Sequence, residues 1–476
     1  MFMRQHIHTR RDFLRHAGAI AAGTLLARSS FAQSGEKPNF IIIFCDDLGY
    51  GDVGCFGSKT HRTPNIDRMG DEGTRFTSFY VTSGVCTPSR SSLMTGCYPR
   101  RINMHESDMN ECVLFPVARK GLHPDEITIA DILKSQGYAT ACVGKWHLGD
   151  QPPFLPMRQG FDYYYGIPYS NDMGAQQRPK NPPLPLLRNE KVIEAPADQD
   201  TLTKRYTEEV VKFITTNKDR PFFVYLPHTM PHNPLHVSDA FRGRSPNGMY
   251  ADVIEELDWS VGRILQTVRE LNLSRKTLVI FTSDNGATGG KGRSNGPLRG
   301  AKGSTWEGGQ REPCVVWWPG HVPAGKTCDE LTTTMDLLPT FARLAGTRAP
   351  TDRIIDGKDI WPLMAGRDGA KSPHEAFYYY QMDQLQAVRS GRWKLHLPLK
   401  VKRRNWGKGI PNRPMELYDL KADIGEKTDV ADRHPDVVKR LLALADKARL
   451  DLGDVNHRGN QRSAGWVEVA KPLTKD

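Results

Sequence analysis

The sequence predicts an α/β fold in which a large, mostly parallel sheet is covered by helices on both faces. Short apolar segments rich in β-branched residues alternate with segments whose apolar residues recur at helical spacing, and this alternation is typical of βαβ units. At 476 residues, the chain is long enough for one large domain and a smaller one. The character of the sequence changes near residue 370, which predicts that the smaller unit is C-terminal.

The large sheet is predicted from continuous apolar runs, which are typical of strands buried on both faces. The predicted strands cover residues 39–45, 139–143, 221–226 and 277–282. The predicted helices between them cover residues 126–136, 205–216 and 250–271. Each helix is long enough to cross over from one parallel strand to the next.

The C-terminal part predicts a small antiparallel sheet and a closing helix. Its strands are predicted at residues 377–380, 386–389 and 392–395. A helix is predicted at residues 435–450, with one apolar face formed by Val438, Leu441, Leu442 and Ala445. We therefore divide the chain into an N-terminal segment (1–32), a large α/β domain (33–371) and a C-terminal subdomain (372–476).

The first 32 residues have the layout of a cleavable export signal. Arg10 and Arg11 precede an apolar stretch, and a small-x-small pattern ends at Ala32. The paired arginines resemble a twin-arginine signal, so we expect passage through the twin-arginine translocase, cleavage near Ala32 and a periplasmic or secreted protein. No cysteine follows the cleavage point, and no apolar run approaches the roughly 20 residues of a spanning helix. We therefore expect no stable membrane anchor.

The formal net charge of +11 favours anionic partners. Loss of residues 1–32 would remove five arginines and one aspartate and leave about +7. A basic surface attracts sulfated or uronic-acid polymers, although colloidal solubility alone also accounts for such a charge. The sequence contains no nucleic-acid-binding motif, so no nucleic-acid partner is expected.

Oxygen-bearing side chains directly follow two of the predicted strands. Asp46 and Asp47 follow the first strand, and Asp284 and Asn285 follow the strand at 277–282. Ligands of open parallel sheets bind beyond the carboxyl ends of the strands, where these side chains could converge. Three carboxylates and an amide oxygen favour Ca²⁺ or Mg²⁺ over Zn²⁺.

Cationic and proton-transferring side chains follow other strands. Lys145 and His147 follow the strand at 139–143, and His232 follows the strand at 221–226. Lys302 lies in a glycine-rich loop that can approach a ligand closely. Together these residues could stabilise an anionic tetrahedral transition state, whereas each alone is more often a surface cation or a core hydrogen-bonding group.

The segment from Cys86 to Gly96 has the pattern Cys-x-Pro-Ser-Arg-x-x-Leu-x-Thr-Gly. A structural alternative is a buried cysteine before a turn, with Ser89 capping the helix that follows. The pattern resembles the signature of the type I sulfatases, and the segments at 63–68, 144–149 and 283–286 are similar to sulfatase segments in the expected order. The segment at 166–170 is similar to the arylsulfatase A branch of that family.

The resemblance implies an alkaline-phosphatase-like fold and a formylglycine made from Cys86 by a formylglycine-generating enzyme. It implies that Ca²⁺, rather than Mg²⁺, is bound by Asp46, Asp47, Asp284 and Asn285, with the modified Cys86 completing the site. Arg90 would orient the formylglycine, and His147 would hydrogen-bond to it. The residues that would hold the sulfate are Lys145, His232, Lys302 and Ser170.

The implied reaction is hydrolysis of sulfate monoesters, most plausibly of sulfated carbohydrates, by covalent catalysis. His232 or Lys302 would protonate the leaving oxygen, and His147 would accept a proton as sulfate is released. Two alternatives are a phosphonate or phosphate ester hydrolase of the same superfamily and a non-catalytic anion-binding protein that keeps an unmodified Cys86.

Overall fold

A mixed β-sheet forms the centre of the molecule. The computed structural model describes residues 37–399 and 413–475, together with the backbone of 404–405 and 408–409. The strands are β1 (Asn39–Cys45), β2 (Thr74–Tyr80), β3 (Lys120–Gly121), β4 (Ala139–Val143), β5 (Tyr163–Gly166), β6 (Leu186–Arg188), β7 (Lys191–Glu194), β8 (Phe222–Pro227), β9 (Thr277–Ser283), β10 (Arg311–Trp317), β11 (Lys326–Cys328), β12 (Thr332–Thr333), β13 (Phe377–Gln381), β14 (Gln384–Ser390), β15 (Trp393–His396), β16 (Arg404–Asn405), β17 (Lys408–Gly409), β18 (Glu416–Asp419) and β19 (Gly465–Trp466). The helices are α1 (Pro64–Glu72), α2 (Cys86–Thr95), α3 (Ile129–Ser135), α4 (Leu202–Thr216), α5 (Met249–Glu270), α6 (Glu307–Gln310), α7 (Leu337–Leu344), α8 (Trp361–Met364) and α9 (Pro435–Asp451).

The middle of the large sheet is parallel. Its strands run in the order β11-β2-β10-β9-β1-β8-β4-β5-β6-β7, with β12 beside β2. The five consecutive strands β9, β1, β8, β4 and β5 are parallel to one another. Strand β10 runs antiparallel to both β9 and β2, and β6 runs antiparallel to β5. The antiparallel strands β2 and β10 were not among the predicted strands.

Helices cover both faces of this sheet because alternate residues of the central strands point to opposite sides. Phe40, Ile42 and Phe44 pack into the core formed with α2, α3, α7 and α8. Ile41 and Ile43 pack into the second core, with α1, α4 and α5. The prediction of a mostly parallel sheet between two helical layers is confirmed.

The C-terminal part contains a second sheet with the order β13-β14-β15-β18, antiparallel throughout. Helix α9 packs on this sheet through Val438, Leu441 and Ala445, all of which are buried. Leu442 is only partly buried, and Leu444 takes a fully packed position on that face. The predicted antiparallel sheet with a helix is therefore confirmed.

The predicted export signal, residues 1–32, lies outside the described residues. Residues from Pro38 to Asp476 form one compact unit. Among the described residues, no helix has the length and apolar character needed to cross a membrane.

Candidate active site

The candidate site lies at the carboxyl edge of the parallel strands. Asp46 and Asp284 directly follow the neighbouring strands β1 and β9, and the ladder continues beyond them because the Asp284 N–H donates to the Cys45 carbonyl at 3.0 Å. The Lys145 N–H donates to the Pro227 carbonyl at 2.7 Å, which fixes the turn after β4 against the end of β8. The strand order therefore brings side chains from four chain segments to one place.

Cys86 is the first residue of α2, and its side chain is buried. The thiol Sγ lies 3.5 Å from Asp46 Oδ1 and 3.8 Å from Lys302 Nζ. The helix already includes Pro88 and Ser89, so the alternative in which Ser89 caps a later helix is wrong. Pro88 fits because the first four N–H groups of a helix have no intrahelical acceptor.

Burial raises the pKa of the Cys86 thiol well above its ordinary value, although Lys145 and Lys302 act in the opposite direction. The unmodified side chain is therefore a neutral thiol at pH 7. A neutral thiol is a poor nucleophile, since the thiolate is the reactive form.

The carboxylates form a donor set suitable for a divalent cation. Ligand atoms of Asp46, Asp47, Cys86 and His232 lie within 4.8 Å of one another. Asn285 donates from Nδ2 to Asp47 Oδ1 at 2.7 Å, while its buried Oδ1 has no hydrogen-bonding partner among the described residues. Carboxylate oxygens with a free amide oxygen fit Ca²⁺ or Mg²⁺.

Asp284 is held in this cluster by Arg90. Arg90 donates to Asp284 Oδ2 from Nε at 3.0 Å and from Nη2 at 2.7 Å, and the other carboxylate oxygen accepts the Asp47 N–H at 3.1 Å. Arg90 Nη2 also lies 3.6 Å from Asp46 Oδ2. The buried guanidinium thus offsets part of the negative charge of the aspartates.

Two lysines provide the remaining positive charge. Lys145 Nζ donates to Asp46 Oδ2 at 2.5 Å and to Ser170 Oγ at 3.1 Å. Lys302 Nζ lies 2.7 Å from Asp47 Oδ1. Burial opposes ionisation of Asp46, but Lys145 and the neighbouring cations outweigh it and hold the pKa of Asp46 well below its usual range. The ionised carboxylate of Asp46 therefore lies beside the ammonium group of Lys145.

His147 is neutral because burial and the nearby Lys145 lower its pKa well below the ordinary value. Its Nε2 lies 2.9 Å from the Leu114 carbonyl, which can only accept, so Nε2 carries the proton. Its Nδ1 is then an acceptor, buried and without a partner among the described residues. The backbone of His147 is left-handed, with φ of 60°, and such residues cluster at functional sites.

His232 is oriented through its other ring nitrogen. Nδ1 lies 2.5 Å from the Asn233 carbonyl and donates to it, which leaves Nε2 for the site, 3.7 Å from Asp47 Oδ2. Burial is the main cause that lowers the pKa of His232. A histidine held in this way can exchange a proton with a bound ligand.

Gly166, the last residue of β5, precedes the loop that contains Ser170. Its backbone passes so close to the turn after β4 that only glycine fits. A Cβ on Gly166 would lie 1.8 Å from the carbonyl oxygen of Gly144. This close approach places Ser170 beside Lys145. The structure thus brings together the eleven residues that the sequence predicted for this site.

Two contacts at the site were not predicted. Thr87 donates from Oγ1 to the His147 carbonyl at 3.1 Å and accepts the Leu114 N–H at 3.1 Å. The Leu114 carbonyl then orients His147. Leu114 lies in an irregular loop and acts through its backbone, so no side-chain pattern indicates it.

Comparisons with known proteins identify the class of this chain. A family model described as Sulfatase matches residues 38–347, and a model of the C-terminal region of aryl-sulfatase matches residues 372–476. Arylsulfatase A of Homo sapiens is 39% identical over 475 residues, covering 91% of this chain and 90% of that protein. The chain therefore belongs to the sulfatase family and is an arylsulfatase A-like type I sulfatase, a sulfuric ester hydrolase.

Two further similarities concern carbohydrate sulfatases and a carbohydrate complex. N-acetylgalactosamine-6-sulfatase of Canis lupus familiaris is 38% identical over 389 residues, covering 77% of this chain and 72% of that protein. A crystal structure of Ps i-CgsB in complex with k-i-k-neocarrahexaose has a TM-score of 0.75 at 33% identity and covers 87% of this chain and 92% of that one.

Proposed function

We propose that this sulfatase is exported and cleaves sulfate monoesters of sulfated carbohydrates, with Cys86 oxidised to formylglycine and Ca²⁺ bound beside it. The observation that supports this most strongly is the position of Cys86 Sγ, 3.5 Å from Asp46 Oδ1 and 3.8 Å from Lys302 Nζ. A nucleophile at this point lies between a metal-binding carboxylate and a sulfate-binding cation. The hydrated formylglycine supplies two hydroxyl groups, one to attack sulfur and one whose deprotonation releases sulfate.

The metal site consists of Asp46, Asp47, Asp284 and Asn285, together with the modified residue 86. The three aspartates already lie among cations, and the Asn285 amide oxygen is available. Ca²⁺ would increase the acidity of a hydroxyl bound to it. Arg90 holds Asp284 and thereby fixes the direction of that carboxylate toward the site.

The sulfate group is held by Lys145, Lys302, His232 and Ser170. The ammonium groups of Lys145 and Lys302 neutralise the charge that develops on the sulfate oxygens. Either His232 or Lys302 protonates the leaving oxygen. The unprotonated Nδ1 of His147 is suited to accept the proton of the second hydroxyl.

Sulfated carbohydrates are the proposed natural substrates, and small aryl sulfates are surrogates. The support is the similarity to N-acetylgalactosamine-6-sulfatase and to a structure in complex with a neocarrahexaose. The basic sequence, with a formal net charge of about +7 after loss of residues 1–32, also favours polyanionic partners.

Maturation and export require two partners of the chain. A formylglycine-generating enzyme converts Cys86, and the twin-arginine translocase exports the folded protein, as the sequence at residues 9–32 supports. Because Cys86 is buried in the folded protein, we expect its oxidation to precede export into the periplasm or medium. This order would be contradicted if residue 86 were still a thiol in the cytoplasmic precursor and an aldehyde only in the protein outside the cell.

A substrate panel tests the proposal. Purified protein with and without Cys86→Ala is assayed on an aryl sulfate, an aryl phosphate, an aryl phosphonate and sulfated galactose, N-acetylgalactosamine, glucosamine and fucose. We expect Cys86-dependent sulfate release and preference for at least one sulfated sugar. A higher kcat/KM on phosphate or phosphonate would favour the second enzyme class, and binding without turnover would favour an anion-binding protein.

A further inference from the structure

The loop containing Lys302 is anchored to the active site by its backbone. The Lys302 N–H donates to the Ala287 carbonyl at 3.0 Å, and the Gly303 N–H donates to the Gly84 carbonyl at 2.7 Å. Ala287 follows the proposed metal ligands Asp284 and Asn285, and Gly84 precedes Cys86 by two residues. These bonds fix one side of the loop against the segments that carry the proposed metal ligands and Cys86.

The other side of the loop rests on the C-terminal sheet. Arg299 donates to the Glu426 carbonyl at 2.7 Å, and Thr305 Oγ1 donates to Gln386 Oε1 at 2.9 Å. The Trp306 ring lies 4.2 Å, centroid to centroid, from the His396 ring. Residues on both sides of Lys302 in the chain are thus held by the second sheet.

A buried charge cluster lies beneath these contacts. Lys394 Nζ lies 2.9 Å from a carboxylate oxygen of Glu307 and 2.9 Å from one of Glu426. Glu426 accepts the Glu307 N–H at 2.8 Å and a bond from His396 at 2.7 Å. The four side chains have no exposed surface, so the ammonium of Lys394 compensates carboxylates that water cannot reach.

The cluster joins the two parts of the molecule at the loop. Glu307 follows the loop directly as the first residue of α6, and the hydroxyls of Tyr80 and Tyr379 donate to its carboxylate. Lys394 and His396 belong to β15 in the C-terminal sheet. Removal of the Lys394 charge would leave Glu426 without this ion pair and Glu307 with its ion pair to Arg311, so we expect the end of the loop to shift.

We propose that Lys394, through Glu307 and Glu426, is a positioning residue that holds Lys302 against the substrate sulfate. This inference rests on the proposed role of Lys302 in sulfate binding. The C-terminal sheet is then a structural part of the active site, although its residues do not touch the reacting atoms.

A double-mutant cycle tests the proposal, with wild type, Lys394→Met, Lys302→Ala and the double variant compared on one aryl sulfate. We expect Lys394→Met to lower kcat/KM roughly 10- to 100-fold, because displacement by about 1 Å has effects of that size. In the Lys302→Ala background, Lys394→Met should cause little further loss of kcat/KM. Lys302, the residue through which Lys394 acts, is already absent from that background. Independent, multiplicative losses would overturn the proposal.

The control is Leu441→Ala. This substitution creates a cavity in the core between α9 and the C-terminal sheet. It should lower the thermal midpoint comparably while keeping kcat/KM within about twofold of wild type; an equal loss of activity would show that general destabilisation is the cause. If Lys394→Met does not accumulate as folded protein, Trp306→Ala replaces it in the same cycle. Little further loss of kcat/KM would again support the proposal, and multiplicative losses would again overturn it.

The failure of this proposal can be distinguished from the failure of the proposed function. A wild-type enzyme that is inactive although its Cys86 is fully converted to formylglycine would contradict the proposed function. An active wild-type enzyme with multiplicative losses in the variants would contradict only the positioning role of Lys394.

Discussion

Cys86 lies buried between a carboxylate and an ammonium group. Asp46 lies 3.5 Å from its sulfur, and burial raises the pKa of the thiol well above the ordinary value. Catalytic cysteines normally have a lowered pKa, because the thiolate is the nucleophile. An unmodified Cys86 would therefore be a poor nucleophile, and its proposed catalytic role requires the proposed conversion to formylglycine.

Cys86→Ser tests this conversion at the level of one atom. A serine hydroxyl could attack sulfur once, but it has no second hydroxyl with which to release the sulfate. We expect steady-state turnover to fall by roughly 10⁴-fold or more, as for removal of other catalytic nucleophiles. Cys97→Ser, a change of another buried cysteine near the end of α2, should leave turnover within a few-fold of wild type. Full activity of Cys86→Ser would refute the formylglycine mechanism.

Metal removal tests the proposed ligands. Chelation should abolish turnover, and Ca²⁺ should restore it better than Zn²⁺, because the donors are carboxylate and amide oxygens. Asn285→Leu removes the free amide oxygen and should raise the Ca²⁺ concentration needed for half-maximal recovery. Ca²⁺ binding measured by calorimetry gives a second readout that does not depend on turnover. Better recovery with Zn²⁺ than with Ca²⁺ would contradict the ligand set.

At the scale of the elements, the strand ends explain why the site could be predicted from the sequence. Continuous apolar runs identify β1, β4, β8 and β9, and polar residues directly after them must lie at one edge of a parallel sheet. Strands β2 and β10 were not predicted, because their burial depends on antiparallel pairing between residues more than 200 positions apart. The sequence does not indicate that the Leu114 carbonyl meets His147, because Leu114 lies in an irregular loop and makes this contact through its backbone.

Helix α1 depends on a cap from another helix. Thr63 precedes α1 but makes no side-chain cap bond. Asp258 of α5 instead accepts the Asn65 N–H at 3.0 Å and the Ile66 N–H at 2.9 Å. Loss of such a cap typically costs about 1 kcal/mol, so Asp258→Ala should lower the free energy of unfolding by about that amount.

The same carboxyl predicts a pH dependence of stability. Burial raises the pKa of Asp258 from 3.8 to about 6, so the folded protein binds this proton more tightly than the unfolded chain. The resulting stabilisation is complete below about pH 4 and is lost as the pH rises through about 6. The difference in thermal midpoint between the wild type and Asp258→Asn (wild type minus variant) should therefore fall as the pH rises from about 4 to about 6. The exposed Asp71→Asn is the control, and a constant difference for Asp258→Asn would contradict the shift.

At the scale of the whole molecule, the two sheets have separate cores but share one functional loop. The proposed metal ligands Asp46 and Asp284 directly follow β1 and β9 of the large sheet, and Cys86 begins α2. Gln386 of the small sheet and Glu426, which follows that sheet, hold the segment on either side of Lys302. The fold class of each sheet was predicted from periodicity. The dependence of the Lys302 loop on β15 was not, since no local pattern relates Lys394 to Glu307.

The net charge of about +7 that remains after loss of residues 1–32 predicts a salt effect that depends on the substrate. A polysulfated oligosaccharide should be attracted at low ionic strength, and this attraction is screened as the Debye length shortens from about 10 Å at 0.1 M salt to about 3 Å at 1 M. Its kcat/KM should therefore fall more steeply between these concentrations than that of a small aryl monosulfate. Parallel curves for the two substrates would contradict a role of the protein's charge in substrate capture.

Mass spectrometry of the peptide spanning Val85 to Arg90, from protein isolated from its native host, tests the central claim most directly. Conversion of Cys86 to formylglycine replaces one sulfur and two hydrogens with one oxygen, and the aldehyde reacts with hydrazide reagents. We predict that most of the peptide has the aldehyde mass in active enzyme. A peptide that retains only the thiol, in a preparation that hydrolyses sulfate esters, would contradict the account.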